Sequence, residues 1–154
     1  MPAKLRRGRR RIVEEHIKVS IQFSGWDYFY SLSPDDGRHL FGESAYVQIL
    51  RLRLKGPLLE PKSLGPREVV VDLMGEPGML EERYEEPRKG IGLLSSGAGT
   101  LDAYVPVPME RIPELLTLVT TGRIRTCTLT CERLRYRKAI VQDFTVSTTD
   151  EDDE

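Results

Sequence analysis

The stretch IKVSIQFSGWDYFYSL, residues 17–32, contains the pattern that decides the fold. In its first half, apolar residues from Ile17 to Phe23 occupy every second position, with polar residues between them. Alternation of period two is typical of a strand with one buried face. Gly25 interrupts the pattern, and a second alternation of large apolar residues runs from Trp26 to Leu32. We therefore predict two strands that meet at Gly25.

Short apolar runs of the same kind recur along the rest of the chain. They predict further strands at 45–54, 69–74, 91–94, 101–107, 123–131 and 134–148, the last two joined by a turn near Glu132-Arg133. One helix is predicted at 108–121, because apolar residues recur there at helical spacing and Gly122 can end it. The segment 75–90 is the most loop-like interior stretch.

These elements predict a mainly β domain with one short α-helix near 108–121. Because strands and helices do not alternate, a parallel nucleotide-binding sheet is not expected. The preferred architecture is an antiparallel β-sandwich of two sheets, and the alternative is a partly open β-barrel. The pairs Gly56-Pro57 and Gly65-Pro66 are expected to bracket a loop between two of the strands.

Charge is concentrated at the two ends of the chain, although the formal net charge is only −1. Residues 1–11 contain six basic residues and no acid, and residues 150–154 are all acidic. Blocks of like charge repel each other and bury little surface. The sequence therefore predicts a disordered basic tail (1–11), a single β-rich domain (12–149) and a disordered acidic tail (150–154). The candidate contacts for nucleic acid or an acidic partner are Arg6, Arg7, Arg9, Arg10 and Arg11.

The chain has two cysteines, Cys127 and Cys131, in an alternating stretch. Four residues of strand span roughly 13 Å, whereas a disulfide needs Cα atoms within about 7 Å. We therefore predict that both thiols are buried on one face and do not pair with each other. No apolar run suited to a secretory signal or a membrane span is present. These features predict a soluble protein of the reducing cytoplasm.

Patterns that resemble catalytic or phosphate-binding motifs are incomplete. Residues 42–45 begin like a nucleophile elbow, but Tyr46 occupies the position of the second glycine. The glycine-rich turn 95–99 lacks the lysine and the following helix of a phosphate loop. No catalytic residue and no cofactor are therefore predicted.

The residues that could bind a metal ion do not form a complete site, and the carboxylates in predicted strands have a structural explanation. The chain contains four residues of the types that bind zinc, which are His16, His39, Cys127 and Cys131. Two cysteines four residues apart on a strand cannot both reach one ion at bond lengths of about 2.3 Å, so no metal site is predicted. The acids in predicted strands are expected to face solvent or to take arginine partners; they are Asp72, Asp102 and Asp143.

Basic and aromatic residues recur within the predicted strands. The basic ones are Arg51, Arg53, Arg123, Arg125, Arg133, Arg135, Arg137 and Lys138. The aromatic ones are Trp26, Tyr28, Tyr30 and Tyr136, which could stack on the bases of a single strand. The same arginines would equally coat a solvated face and discourage aggregation of sheet edges.

The Arg-rich stretch before a β-domain resembles the arrangement in cyclic-dinucleotide receptors of the PilZ type. The second motif of that family is an aspartate or asparagine followed by a spaced serine and glycine. The segment Val19 to Gly25 does not contain this motif. The resemblance therefore implies no function for this chain.

A well-patterned β-domain without convergent chemistry favours a non-catalytic interaction or assembly module over an enzyme. Its contact surfaces would be sheet edges, the 75–90 loop or the charged tails. The expected partner is a protein, either a second copy or another chain, and not a membrane. The first alternative is nucleic-acid binding through the Arg-rich tail, and the second is a small enzyme or ligand-binding β-barrel.

Overall fold

The computed structural model describes residues 16–34, 46–80 and 90–148. These residues form a mainly β structure with one short α-helix, α1 (Ile112–Thr120), which confirms the predicted fold class. The strands are β1 (Ile17–Gln22), β2 (Gly25–Pro34), β3 (Tyr46–Glu60), β4 (Glu68–Glu76), β5 (Gly92–Ser96), β6 (Thr100–Pro108), β7 (Thr126–Cys131) and β8 (Lys138–Val146). Among the described residues, no helix is both long enough and apolar enough to cross a membrane.

Seven of the strands close into a barrel. The hydrogen-bonded order is β1-β7-β8-β5-β6-β4-β3, and β1 then pairs with β3 to complete the ring. The two-sheet sandwich is not confirmed, because each strand of the ring has a neighbour on both sides within one continuous sheet. The alternative, a barrel, is the architecture that forms, although it is closed rather than partly open. Strand β2 lies outside the ring, and among the described residues it pairs with β3 alone.

Closure depends on the length of β3. This strand continues through Gly56-Pro57 to Glu60. The prediction that a loop begins at Gly56-Pro57 is therefore wrong. Its middle pairs with β4 from Arg51 to Pro57, and its end pairs with β1 at Leu58 and Glu60. A Cβ on Gly56 would overlap the carbonyl oxygen of Gln22, so only glycine lets the two strands approach this closely. Glycine therefore marks a close strand contact here, and not a turn.

One strand pair departs from the antiparallel expectation. Strands β4 and β6 are parallel over their whole length, with Glu68 opposite Thr100 and Glu76 opposite Pro108. Strands β5 and β6 form a hairpin in which β5 also pairs with β8. The other strand of the hairpin, β6, therefore lies beside β4 and runs parallel to it. All other pairings in the barrel are antiparallel.

The core is formed by the alternating apolar residues that face the barrel interior. Val19 and Ile21 of β1 are fully buried, as expected from the alternation in 17–24. Helix α1 packs against the same core through Ile112 and Val119, and Gly122 follows it with a φ of 71°. The predicted helix is thereby confirmed, although its first turn, Met109–Arg111, is a 3₁₀ helix.

Candidate functional site

The barrel has two distinct ends. At one end lie the turn after β3, the turn between β5 and β6, the turn between β7 and β8, and the residue at which the described chain begins, His16. We call this the basic end. At the opposite end lie α1 and the part of β3 that pairs with β2.

Strand β2 presents large apolar side chains to solvent on both of its faces. Between 45% and 54% of each side chain is exposed in the set Trp26, Tyr28, Phe29, Tyr30 and Leu32. On one side β2 forms ten residue pairs with β3, and no described residue pairs with its other side. We call this unpaired side with its apolar residues the β2 edge.

The ribbon of β2 and β3 extends beyond the barrel. Strand β4 begins to pair with β3 only at Arg51, so residues 46–50 of β3 have β2 as their one described partner. Tyr46 and Ile49 on this part of β3 are also exposed. A two-stranded ribbon is marginally stable in water when nothing covers it. The geometry therefore suits a surface that becomes covered by a partner.

The basic residues of β3 are engaged within the sheet. The guanidinium carbon of Arg51 lies 5.4 Å from the ring centroid of Phe29. The Nε atom of Arg53 donates to Asp72 at 2.7 Å, and this contact raises the pKa of the Arg53 guanidinium. Lys55 pairs with Asp27 at 3.1 Å. These side chains brace the ribbon, which leaves less of their charge for a polyanion than the sequence alone suggests.

The turn between β7 and β8 is displaced from its predicted position near Glu132-Arg133. Arg135 and Lys138 exchange two backbone hydrogen bonds of 2.8 and 3.0 Å, so Tyr136 and Arg137 are the central residues of the turn. Their φ values are 53° and 64°. Positive φ at both central positions defines a type I′ turn, which glycine, asparagine and aspartate normally dominate.

Several exposed cations surround this turn. The basic side chains of residues 132–138 are Arg133, Arg135, Arg137 and Lys138, and all four are exposed. None of them forms a side-chain ion pair or hydrogen bond with the described part of the chain. Tyr136, at the apex, is 99% exposed. We call residues 132–138 the basic tip.

Aromatic residues that the sequence suggested as a stacking set are divided between two places. Trp26, Tyr28 and Tyr30 share one face of β2, whereas Tyr136 lies at the basic end. The sequence reasoning missed Phe29 and Leu32 as members of an exposed surface. A signal was present, since only one charged residue interrupts the large apolar residues from Trp26 to Leu32.

Candidate metal ligands do not converge in the described residues, and no cluster of three or more such side chains occurs there. His16 is exposed, while Cys127 and Cys131 are buried with free thiols on one face of β7. Asp72 pairs with Arg53, as expected for a strand carboxylate, and Asp102 accepts a hydrogen bond from Thr100 at 3.3 Å.

Several of the sequence-based predictions concern residues outside those that the structure describes. They are the candidate ligand His39, the acidic tail 150–154, and the basic tail with Arg6, Arg7, Arg9, Arg10 and Arg11. The division into tails and a single domain likewise stays a prediction.

A groove of about 550 Å³ lies between α1 and the end of β8. Most of its lining is apolar, with Leu115, Leu118 and Phe144 among the contributors. The two charged residues in the lining, Arg111 and Glu114, pair with each other at 2.9 Å. The described lining thus provides an apolar surface, with no pair of groups arranged for acid–base or nucleophilic chemistry.

Comparison with known proteins identifies no relative of this chain. No protein-family model, no curated protein and no solved structure matches it.

Two surfaces of the described residues, the β2 edge and the basic tip, lie toward opposite ends of the barrel.

Proposed function

We propose that this protein is a non-catalytic assembly module that associates with a second copy of itself through the β2 edge. The observation that carries the proposal is a ten-residue edge strand with large apolar side chains half exposed on both faces. An unpaired strand offers a row of backbone N–H and C=O groups to any chain that can pair with it.

The β2 edge lacks the features that keep edge strands of monomers apart. Such strands are usually short, bulged, or protected by lysine, proline or inward-pointing charges. Strand β2 contains no lysine, its one proline is the last residue, Pro34, and its one charged residue, Asp27, pairs with Lys55. Burying its apolar side chains would contribute about 25 cal/mol for each Å² removed from water.

A second copy is a partner that suits this strand. Two identical strands can pair antiparallel about a two-fold axis, because such an interface uses the same residues on both sides. With the axis at Phe29, Tyr28 would lie opposite Tyr30, and Trp26 opposite Leu32. Aromatic pairs directly across a sheet are favourable. Asp27 would lie opposite Ser31, so no like charges would meet.

The test compares Tyr30→Lys with Tyr104→Lys. Tyr30 and Tyr104 are 49% and 46% exposed, and Tyr104 lies on a strand inside the ring, paired on both sides. Lysine on an edge strand opposes pairing with another edge. We expect the full-length protein to form dimers in sedimentation equilibrium, and Tyr30→Lys to weaken the association at least about ten-fold, or about 1.4 kcal/mol. Tyr104→Lys should associate like the parent.

Trp26 gives an independent measurement, because it is the one tryptophan of the chain and lies on β2. Its emission should move to shorter wavelength as protein concentration rises, since pairing removes water from the indole. A protein that sediments as a monomer at all concentrations, with constant Trp26 emission, would refute the proposal. An equal effect of both lysine variants would place the interface elsewhere.

A further inference from the structure

We propose that the basic tip is a binding site for single-stranded nucleic acid, which is a function beyond self-association. The first support is charge. Within residues 132–138 there are four exposed cations and one acid, Glu132. Arginine and lysine that have no partner among the described residues can approach phosphates without first breaking an ion pair within that part of the chain.

Neighbouring residues hold the tip in place and add a cation. The Nη1 atom of Arg67 donates to the hydroxyl of Ser96 at 2.5 Å, and its Nε donates to the carbonyl of Leu64 at 2.9 Å. The backbone N–H of Ser96 in turn donates to the carbonyl of Arg137 at 2.8 Å. The turn between β7 and β8 is therefore hydrogen-bonded to the hairpin of β5 and β6, and the guanidinium of Arg67 lies beside it.

The second support is the conformation of the apex. Left-handed backbone disfavours side chains with a Cβ, and here it is adopted by Tyr136 and Arg137. Sterically unfavourable backbone tends to be retained where it contributes to function. In this turn it projects an aromatic ring fully into solvent between two arginines, Arg135 and Arg137. An unpaired base can stack on such a ring while the arginines contact the flanking phosphates.

A single strand fits the tip better than a duplex. The apex presents one ring on a narrow turn, and stacking requires a base whose face is accessible. In a duplex both faces of an internal base are already covered, and only phosphates would remain for contact. The chemistry at the tip therefore favours unpaired bases flanked by phosphates.

The experiment measures binding of a labelled oligothymidylate of about 10 nucleotides to the full-length protein by fluorescence anisotropy across salt concentrations. The variants are Tyr136→Ala and the pair Arg133→Ala with Arg135→Ala. The matched control is Arg123→Ala with Arg125→Ala, which removes equal charge from exposed positions at the opposite end of the barrel. Circular dichroism and thermal melting establish that each variant is folded.

We expect Tyr136→Ala to weaken binding at least about five-fold, as loss of one stacked base would. The Arg133 and Arg135 variant should reduce the slope of log K against log salt by about 1.4, since each phosphate contact on a single strand contributes about 0.7. The control pair should bind like the parent. A duplex of equal length should bind less tightly than the single strand.

Several outcomes would overturn the site. Tip variants that bind like the parent would show that the tip makes no contact, even if the basic residues of 1–11 bind the strand. Equal displacement of the strand by polyglutamate or by phosphatidylserine vesicles would show a general attraction to anions. A duplex that binds as tightly as the single strand would remove the role of Tyr136.

Discussion

At the scale of single residues, the burial of the two thiols of β7 makes the stability of the fold depend on pH. Cys127 and Cys131 are buried, with Ile21 and Ile17 opposite them on β1. Burial raises the pKa of both thiols to about 12, and for Cys131 the negative charge of Asp143 adds to the effect. A thiol with a raised pKa is nearly all protonated at neutral pH, so both groups act as small apolar side chains.

The raised pKa values predict a loss of stability at alkaline pH. The unfolded chain releases the thiol protons near its ordinary pKa of about 8.5, whereas the folded chain keeps them. Full stability is therefore present below that pKa and is lost as pH rises toward 12. At pH 10 the expected loss is about 2 kcal/mol for each thiol.

Urea unfolding at pH 8 and pH 10 measures this loss. We compare the parent with Cys127→Ala combined with Cys131→Ala. The double variant should lose less stability between the two pH values, although it starts lower because of its smaller side chains. An identical loss in both proteins would mean that the thiols ionise as easily in the folded state as in the unfolded state.

A second prediction at this scale concerns the turn of the basic tip. Replacing Tyr136 by Asn and Arg137 by Gly introduces the residues that a type I′ turn favours. We expect the free energy of unfolding to rise by about 1 kcal/mol, because the left-handed conformation no longer opposes a large side chain. Urea denaturation measures it. If stability falls, these two residues make contacts that outweigh their backbone preference.

The cysteines were predictable and the turn was not, for a physical reason. Alternation from Thr126 to Cys131 places both thiols on one face without knowledge of any other strand. The position of the turn depends on pairing with distant residues. Strand β8 pairs with β5 as well as β7, and the register between β7 and β8 shifts at Thr130 and Cys131. No glycine or asparagine marks the turn in the sequence.

At the scale of elements, closure of the barrel depends on the approach of β1 to β3 at Gly56. A Cβ at this position would meet the backbone of Gln22, which cannot move without separating the two strands. We expect Gly56→Ala to lower the free energy of unfolding by about 3 kcal/mol, at the upper end of what overpacking causes. Urea denaturation measures the change.

Gly25→Ala is the matched control for this substitution. No atom lies within 4 Å of the site of its Cβ, and its φ is not in the left-handed region. Its stability should stay within about 0.5 kcal/mol of the parent, as for other substitutions away from packed features. Equal effects of the two substitutions would mean that loss of glycine itself, and not the contact with Gln22, determines the result.

Strands were predictable from local alternation, whereas their arrangement was not. The patterns at 17–24 and 69–74 correspond to β1 and β4 to within a few residues. Closure, however, depends on β3 continuing past Gly56-Pro57, a pair that usually signals a turn. The parallel pairing of β4 with β6 likewise joins segments that no local pattern relates. Half exposure of β2 follows from its place outside the ring, which alternation cannot reveal.

At the scale of the whole molecule, the two proposed surfaces point away from each other. Strand β2 runs from Gly25, beside Lys55, toward the end opposite the basic tip. In an antiparallel pair centred on Phe29, the two basic tips would therefore face outward. From Phe29 back to Ile17 there are about 12 residues of extended chain, or about 40 Å in each protomer, so the tips would be separated by roughly 80 Å.

That separation predicts a dependence on strand length that involves both proposals. An oligothymidylate of about 10 nucleotides can reach one tip, whereas one of about 40 nucleotides can reach both. Binding of the second tip is then intramolecular and raises the overall affinity without any new contact. On the short strand, Tyr30→Lys should bind like Tyr104→Lys, which carries the same added charge. On the long strand, we expect the dimeric Tyr104→Lys to bind at least about ten-fold tighter, as measured by anisotropy.

Weaker binding of Tyr30→Lys to both lengths would instead mean that the β2 edge itself contacts the nucleic acid. Equal binding of the two variants to both lengths would mean that the paired molecules cannot use their two tips on one strand.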